Sequence, residues 1–293
     1  MNRPEIERIC APARCSASYG NELCRKEDLF MQVTFVVMVF CLALVSATAQ
    51  TTPQATPATT VRYQAVEVDG LKVFYREAGP KDAPVILLLH GFPSSSRMFE
   101  PLLPALGRRY HLIAPDYPGF GHSEWPDPKK FAYTFDHIAE IMNHFTEAVG
   151  VSRYTLYMQD YGGPVGFRMA LAHPERIEAL IVQNAVAHNE GLGAVWKTRR
   201  AFWADRAANE SALRKNFLSL TTTRTRHVGS DPNVERYDPD LWTDEFAFLS
   251  QAGQADIQSD LFYDYRTNVD SYPKWQAWMR EKQAAAVGDL GQV

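Results

Sequence analysis

The chain has 293 residues, of which 46% are hydrophobic and 12% aromatic, so it can bury a large core in one big domain or two small ones. Its formal net charge is −4, and it contains no basic tract. This balance gives no reason to expect nucleic acid or an anionic membrane surface as a partner.

The N-terminal segment has the pattern of a secretory signal peptide. Residues 35–45 form an unbroken apolar run, and small residues ending in Ala47-Thr48-Ala49 follow it. The run is too short to span a bilayer, which takes roughly 20 residues. We therefore predict a presequence over residues 1–49, cleavage after Ala49 and a secreted or periplasmic protein without a stable membrane span. Because basic residues lie far upstream of the run, an uncleaved anchor and a start at Met31 instead of Met1 both stay open.

The four cysteines all lie upstream of this cleavage site, so the exported body would contain none. No disulfide framework or cysteine-based metal site is then available. Residues 50–60 are rich in Thr, Pro and Ala, which predicts a disordered linker with nothing to bury.

From residue 61 onward, strand-like and helix-like segments alternate. Two runs flank Asp69-Gly70, which is a strong hairpin signal. The apolar runs typical of strands covered on both faces are Pro84 to His90, Tyr110 to Ala114, Tyr154 to Met158 and Ile177 to Val182. Helix-length segments lie between them, notably at 135–149 and 164–172. The alternation predicts an α/β fold with a doubly wound, mostly parallel sheet, whose core occupies residues 61–187.

Three motifs stand where strands of this sheet would end, which is where the chemistry of doubly wound sheets gathers. They are His90-Gly91-Phe92-Pro93, Asp116 to Ser123 (DYPGFGHS) and Gln159-Asp160-Tyr161-Gly162-Gly163-Pro164. In this order they resemble the α/β-hydrolase fold, in its branch with an aspartate nucleophile. That branch includes epoxide hydrolases and haloalkane or haloacetate dehalogenases. The resemblance covers about residues 61–280.

Asp160 is the nucleophile that this resemblance implies. In a nucleophile elbow a sharp strand-to-helix turn exposes one side chain, and Gly162 and Gly163 supply the small residues needed after it. A carboxylate suits attack on a saturated carbon, because water can later cleave the ester that forms. Met158 departs from the pattern, which prefers a small residue there. The alternative is an aspartate that only closes a turn or caps a helix.

The resemblance also implies roles for the neighbours of Asp160. The backbone N–H groups of Phe92 and Tyr161 would form an oxyanion hole. The residues expected to serve the structure of the motifs are His90, Gly91, Pro93, Gly162 and Gly163, with a cis Phe92-Pro93 bond. We expect DYPGFGHS to be a tight structural loop, and Ser94 to Ser96 to begin the next helix.

Residues 188–272 are predicted to form a mostly helical cap rich in aromatic residues. Dehalogenases typically hold the halide with a Trp after the nucleophile and often an Asn after the His-Gly pair, where this chain has Tyr161 and Phe92. Epoxide hydrolases open the ring with cap tyrosines, and Tyr265-Arg266 is similar to one such Tyr-Arg pair. A core role for Tyr265 stays equally open, and Tyr237 is a weak candidate for its partner.

We therefore expect an epoxide hydrolase-like enzyme that acts on a small apolar substrate through an ester on Asp160. A haloalkane or haloacetate dehalogenase-like hydrolase is the alternative. No metal or cofactor is implied, since no His/Asp/Glu cluster has the spacing of a ligand set.

The family's general base, a histidine after the last strand, has no match in this sequence. The eight histidines are His90, His111, His122, His137, His144, His173, His188 and His227. Residues 273–293 would hold the return to the core and a tail without a strand pattern, whereas relatives continue with two more strand-helix units. We therefore expect a C-terminally truncated fold, through a frameshift near codon 286, as a natural short form or through deliberate shortening of the chain. Such a chain would not turn over, or would be a non-catalytic pseudoenzyme.

Overall fold

The computed structural model describes residues 59–282 and 286–287. The expected signal peptide, its cleavage site, the four cysteines and most of the expected linker lie outside these ranges, as do residues 283–285 and 288–293. Those expectations stay predictions. In the ranges that are described, no helix has the length and apolar character needed to cross a membrane.

The core of the described chain is a mixed, mostly parallel sheet with the strand order β1-β2-β4-β3-β5-β6-β7. Its strands are β1 (Val61–Val68), β2 (Leu71–Ala78), β3 (Val85–Leu89), β4 (His111–Pro115), β5 (Tyr154–Gln159), β6 (Ile177–Gln183) and β7 (Ala286–Val287). β1 and β2 form the predicted hairpin, with Asp69 and Gly70 at φ values of 52° and 77° in its turn. β2 also pairs antiparallel with β4, and all other neighbours are parallel. The predicted α/β class is confirmed.

Helices cover both faces of this sheet. The first three are α1 (Leu102–Leu106), α2 (Phe135–Ala148) and α3 (Gly162–Ala172). Side chains alternate along β3, so Leu87 and Leu89 join the larger buried cluster with α2 and α3, whereas Ile86 and Leu88 join the smaller cluster with α1. This two-sided burial explains why the strand is apolar throughout.

Between β6 and β7 every regular element of the described chain is helical. These helices are α4 (Lys197–Ala204), α5 (Arg206–Phe217), α6 (Leu220–Val228), α7 (Asp240–Leu249), α8 (Gln254–Asp264) and α9 (Arg266–Lys282), with short 3-10 turns between some of them. The region expected to be mostly helical is therefore helical. The boundary expected at residue 272 falls inside α9, which continues through Pro273.

The expectation that the tail contains no strand is wrong at two residues. Ala286 and Val287 pair in parallel with Leu180 and Ile181 of β6. Pairing at the open edge of β6 satisfies backbone N–H and C=O groups, and backbone pairing does not require an apolar pattern in the added segment.

Candidate active site

Asp160 lies in a sharp turn between a strand and a helix. β5 ends at Gln159 and α3 begins at Gly162, so two residues make the turn. The φ of Asp160 is 48°, in the left-handed region that residues with a side chain rarely adopt. Strained residues of this kind cluster at functional sites, and a sharp turn of this type exposes the side chain at its apex. The turn predicted from the glycine spacing is present.

Backbone donors hold the Asp160 carboxylate. The Phe92 N–H donates to Oδ1 at 2.8 Å, and the Tyr161 N–H also hydrogen-bonds the carboxylate. Removal from water raises the pKa of Asp160 above its usual value, although these N–H groups and the charges of Arg199 and Arg226 act to lower it. The two N–H groups expected to form the oxyanion hole therefore converge on Asp160. Their catalytic role stays a prediction.

Three glycines let the backbone pack tightly around this turn. A Cβ on Gly91 would lie 2.4 Å from the Cβ of Asp160. A Cβ on Gly162 would lie 2.2 Å from the last carbonyl oxygen of β3, and one on Gly163 would lie 2.7 Å from the Cβ of Ala185. These distances are far shorter than van der Waals contact, so the motif glycines are there because no side chain fits.

Gly166 of α3 accommodates Met158, the residue that departs from the sequence pattern. Met158 is fully buried, and a Cβ on Gly166 would lie 2.3 Å from its sulfur. The absence of a side chain at Gly166 creates the space that the long Met158 side chain fills.

Gly166→Ala is expected to destabilise the protein by about 1–3 kcal/mol, because the added Cβ collides with the Met158 sulfur. In a Met158→Ala background the same change should instead stabilise by up to about 1 kcal/mol, since alanine favours a helix over glycine. Urea unfolding of the wild type, Gly166→Ala, Met158→Ala and the double variant measures this change of sign. An equal effect of Gly166→Ala in both backgrounds would contradict the steric explanation.

His90 is built into the structure. Its ring is fully buried and stacks on Tyr117 with centroids 4.1 Å apart. Nε2 accepts a hydrogen bond from the Tyr117 N–H at 3.3 Å, and Nδ1 lies 3.1 Å from the Gly91 carbonyl oxygen, which assigns the proton to Nδ1. Burial lowers the pKa of His90 to about 4, so the ring is neutral at neutral pH. With both nitrogens occupied, His90 has no free nitrogen to activate water.

The DYPGFGHS loop and the segment that follows His90 also serve the structure. The Asp116 carboxylate accepts a hydrogen bond from the Ser96 N–H at 2.6 Å, which joins the DYPGFGHS loop to the start of the short helix that follows the first motif. Ser95 caps the short 3-10 helix Ser96–Phe99, so the prediction that a helix begins here is confirmed. The Phe92-Pro93 bond is cis, as expected.

Tyr265 lies in an aromatic cluster beside the turn. Its ring centroid is 6.0 Å from that of Tyr161, 4.7 Å from that of Trp196 and 6.2 Å from that of Trp203. Burial raises the pKa of Tyr265 well above its usual range. The phenol therefore keeps its proton at neutral pH, as a proton donor must. The structure brings Tyr265 to the turn, and its role as an acid stays a prediction.

Two further tyrosines of the helical region have separate partners. The Arg266 guanidinium lies 3.7 Å from the ring centroid of Tyr263, which makes Tyr263 a packing residue. The Tyr237 hydroxyl donates to Asp231 at 2.9 Å. Tyr237 is thus engaged in an ion-dipole contact within its own segment.

The remaining histidines have partners elsewhere. The pairs with carboxylates at less than 3 Å are His111 with Glu77 at 2.6 Å, His144 with Asp69 at 2.7 Å and His227 with Glu245 at 2.8 Å. His122 packs between Phe74 and Phe248. His137, His173 and His188 contact Ala132, Glu175 and Gly191 respectively. Across residues 59–282, no histidine is hydrogen-bonded to Asp160.

Arg199 of α4 and Arg226 of α6 are residues near the site that sequence analysis misses. Both act electrostatically on Asp160. Each belongs to a helix that contains other basic residues, and no motif distinguishes the two. Only the folding of the helical region brings them to the turn.

The chain is similar to several known proteins. The family model described as the alpha/beta hydrolase fold matches residues 84–284. A protein of Saccharomyces cerevisiae, described as an uncharacterized hydrolase, is 38% identical over 227 residues, which cover 76% of this chain and 78% of the relative. The chain belongs to the alpha/beta hydrolase fold family.

More distant relatives have named activities. Haloalkane dehalogenases of Psychrobacter cryohalolentis and Bradyrhizobium diazoefficiens are 35% and 41% identical over 117 and 112 residues. These matches span 40% and 38% of this chain, and only 38% and 35% of the dehalogenases' own length. The epoxide hydrolase CorEH superimposes with a TM-score of 0.61 at 19% identity, covering 73% of this chain and 77% of its own. That structural likeness concerns the fold alone.

Proposed function

We propose that this protein is a hydrolase that uses the Asp160 carboxylate as a nucleophile against a saturated carbon, in the manner of an epoxide hydrolase. The observation that carries the proposal is the strained backbone of Asp160 at the apex of the turn, with its carboxylate fixed by the Phe92 N–H. A carboxylate held by two backbone donors is oriented before the substrate arrives.

In the reaction, an Asp160 oxygen forms a bond to one epoxide carbon while the carbon-oxygen bond breaks. The electron pair of that bond stays on the epoxide oxygen, which takes a proton. Tyr265 is the proton donor in this proposal, because it lies beside Tyr161 and stays protonated at neutral pH. The product of this step is an ester on Asp160.

A dehalogenase-like reaction is the second candidate, supported by the sequence identity to two haloalkane dehalogenases. The same carboxylate would then displace a halide, which leaves with the electron pair of the carbon-halogen bond. We favour the epoxide because the residue after Asp160 is tyrosine, where a halide-binding tryptophan is expected from the resemblance.

We also propose that the 293-residue chain stops at the ester. Hydrolysis of the ester needs a base that activates water, and the histidine nearest in sequence to the oxyanion loop, His90, is neutral with both nitrogens occupied. The seven other histidines contact groups other than Asp160 in the described part of the chain.

The test is to incubate the purified protein with styrene oxide and to measure its intact mass and its peptide map. We expect a gain of one epoxide equivalent on Asp160, and none in Asp160→Asn, which keeps the shape but not the charge. The labelling rate should rise with pH through the raised pKa of Asp160, because only the ionised carboxylate attacks.

Two results would contradict parts of this proposal. No adduct on Asp160 with either styrene oxide or an alkyl bromide would reject the nucleophile. Steady production of diol without an accumulating adduct would reject the arrest at the ester. Bromide release together with no reaction of the epoxide would favour the second candidate.

A further inference from the structure

The side chain of Phe92 packs against the helical region between β6 and β7, although its backbone belongs to the first motif. The Arg226 Cζ of α6 lies 4.8 Å from the Phe92 ring centroid. Phe262 of α8 meets the same ring edge-on, with centroids 4.8 Å apart. The Phe92 N–H donates to Asp160 Oδ1 at 2.8 Å. One residue therefore connects two helices of this region to the carboxylate.

Phe217 holds the Arg226 side chain in place over Phe92. Arg226 donates from Nη2 to the Phe217 carbonyl oxygen at 2.9 Å, and its Cζ lies 5.9 Å from the Phe217 ring centroid. This carbonyl belongs to the last residue of α5, where helix carbonyls lack intrahelical partners and a positive charge is favourable. A guanidinium can donate in its own plane while its face rests on an aromatic ring. Arg226 thus joins the end of α5 to the Phe92 ring.

Arg199 offers a comparison, because its charge also acts on Asp160 but its side chain contacts other rings. Its Cζ lies 4.4 Å from the ring centroid of Trp196 and 4.6 Å from that of Phe217. Burial raises the pKa of Asp160, and the charges of both arginines act in the opposite direction. Any effect of Arg226 beyond that of its charge should therefore pass through Phe92.

The other groups that interact electrostatically with Asp160 are neutral. Asp160 acts on the phenols of Tyr117, Tyr161 and Tyr265, and burial raises the pKa of each phenol well above its usual range. Asp160 thus faces two cations and three phenols that keep their protons at neutral pH.

We propose that Arg226 is a positioning residue, which holds the Phe92 ring from the helical region and so fixes the Phe92 N–H on the Asp160 carboxylate. The inference rests on the proposed function and adds a residue to it. A hydrogen bond weakens steeply when its donor is misaligned, and a ring held from two sides keeps the donor aligned. Attack on carbon requires that the carboxylate oxygen be oriented in this way. In this role Arg226 acts through Phe92, without contact to the carbon that is attacked.

The test is a double-mutant cycle between Arg226→Gln and Phe92→Leu. Leucine keeps the backbone N–H and much of the apolar bulk but offers no aromatic face to a cation. The reagent is styrene oxide, and peptide mass mapping gives the rate at which Asp160 is labelled. On the high-pH plateau, the dependence of this rate on reagent concentration gives a maximal rate and a half-saturating concentration. Positioning of the carboxylate should change the maximal rate, whereas a lost substrate contact would change the half-saturating concentration.

Arg226→Gln should lower the maximal labelling rate about 3- to 10-fold, the range expected when a partly exposed cation–π contact and a hydrogen bond are lost. In the Phe92→Leu background the same change should lower it by less than about 2-fold. Arg226→Lys keeps a cation over the ring and should recover part of the rate. Arg224→Gln is the matched control on α6, because Arg224 lies over the Trp242 ring at 5.7 Å, and it should keep the wild-type rate.

A second measurement does not depend on the reactivity of Asp160. A 13C NMR titration of the Asp160 carboxyl group, assigned by its absence in Asp160→Asn, gives the pKa of this group directly. The Phe92 N–H and both arginine charges oppose the rise in this pKa that burial causes. Arg226→Gln should therefore raise the pKa of Asp160 further, and by more than it does in the Phe92→Leu background. Arg199→Gln removes a charge alone and should raise this pKa equally in both backgrounds.

An equal effect of Arg226→Gln with and without Phe92→Leu, on the pKa of Asp160 or on the maximal rate, would overturn the proposal, because Arg226 would then act through its charge alone. A change confined to the half-saturating concentration would also overturn it. So would an effect of Arg199→Gln that depends on Phe92, since the coupling would not belong to the ring contact. If styrene oxide labels none of these proteins, the proposed function fails, and the NMR cycle still decides the role of Arg226.

Discussion

Gly162→Ala is expected to destabilise the protein by about 3 kcal/mol or more and to abolish labelling of Asp160. The added Cβ would lie 2.2 Å from the carbonyl oxygen of Leu89 and 2.9 Å from its carbonyl carbon. Both are backbone atoms of β3, which is paired with β4 on one side and β5 on the other, so they cannot move without breaking the sheet. The turn that holds Asp160 would have to move instead.

Urea unfolding and the styrene oxide adduct measure the two effects. Gly193→Ala is the matched control, because Gly193 has a φ of −66° and no atom lies within 4 Å of its added Cβ. The free energy of unfolding of that variant should equal the wild-type value within about 0.5 kcal/mol. A Gly162→Ala protein with wild-type stability and wild-type labelling would mean that the turn is not as tightly packed as described.

His90 should make the free energy of unfolding strongly pH-dependent in weakly acidic solution. Its pKa is about 4 in the folded protein, against about 6.5 in the unfolded chain. Between these values the unfolded state binds the proton and the folded state does not, so stability rises with pH. The contribution of His90 to the free energy of unfolding is fully present above the pKa that His90 has in the unfolded chain. Roughly 3 kcal/mol of it is lost as the pH falls from about 7 to 4.

The comparison with His90→Asn isolates this effect. Asparagine can still hydrogen-bond but does not titrate. The variant should therefore have a lower free energy of unfolding at pH 7, and this free energy should change less steeply with pH between 6.5 and 4.5. Urea unfolding at several pH values gives both slopes, and groups common to the two proteins cancel in their difference. Identical slopes would contradict a neutral, buried His90.

Most of the sheet could be predicted from local patterns. The runs at 84–90, 110–114, 154–158 and 177–182 each became a strand within one or two residues of the expected ends. Hydrophobic periodicity and turn residues are short-range signals, and they decide these elements wherever the burial is uniform. The two-residue β7 was missed because it is held by backbone pairing to β6, which leaves no pattern in the sequence.

The turn at Asp160 was predictable for the same reason, and its surroundings were not. Asp160 and its glycines occupy one continuous segment, so their spacing alone indicates the turn. The space for Met158 depends on Gly166, and the two residues meet only when α3 packs against β5.

The amino-acid sequence by itself determined the fold class and the turn at Asp160. The tertiary structure alone decided that Arg199 and Arg226 act electrostatically on the same carboxylate, and that His90 is neutral. The physical reason is that burial and charge proximity depend on contacts between distant segments, whereas turns and strands depend mainly on neighbours in the chain.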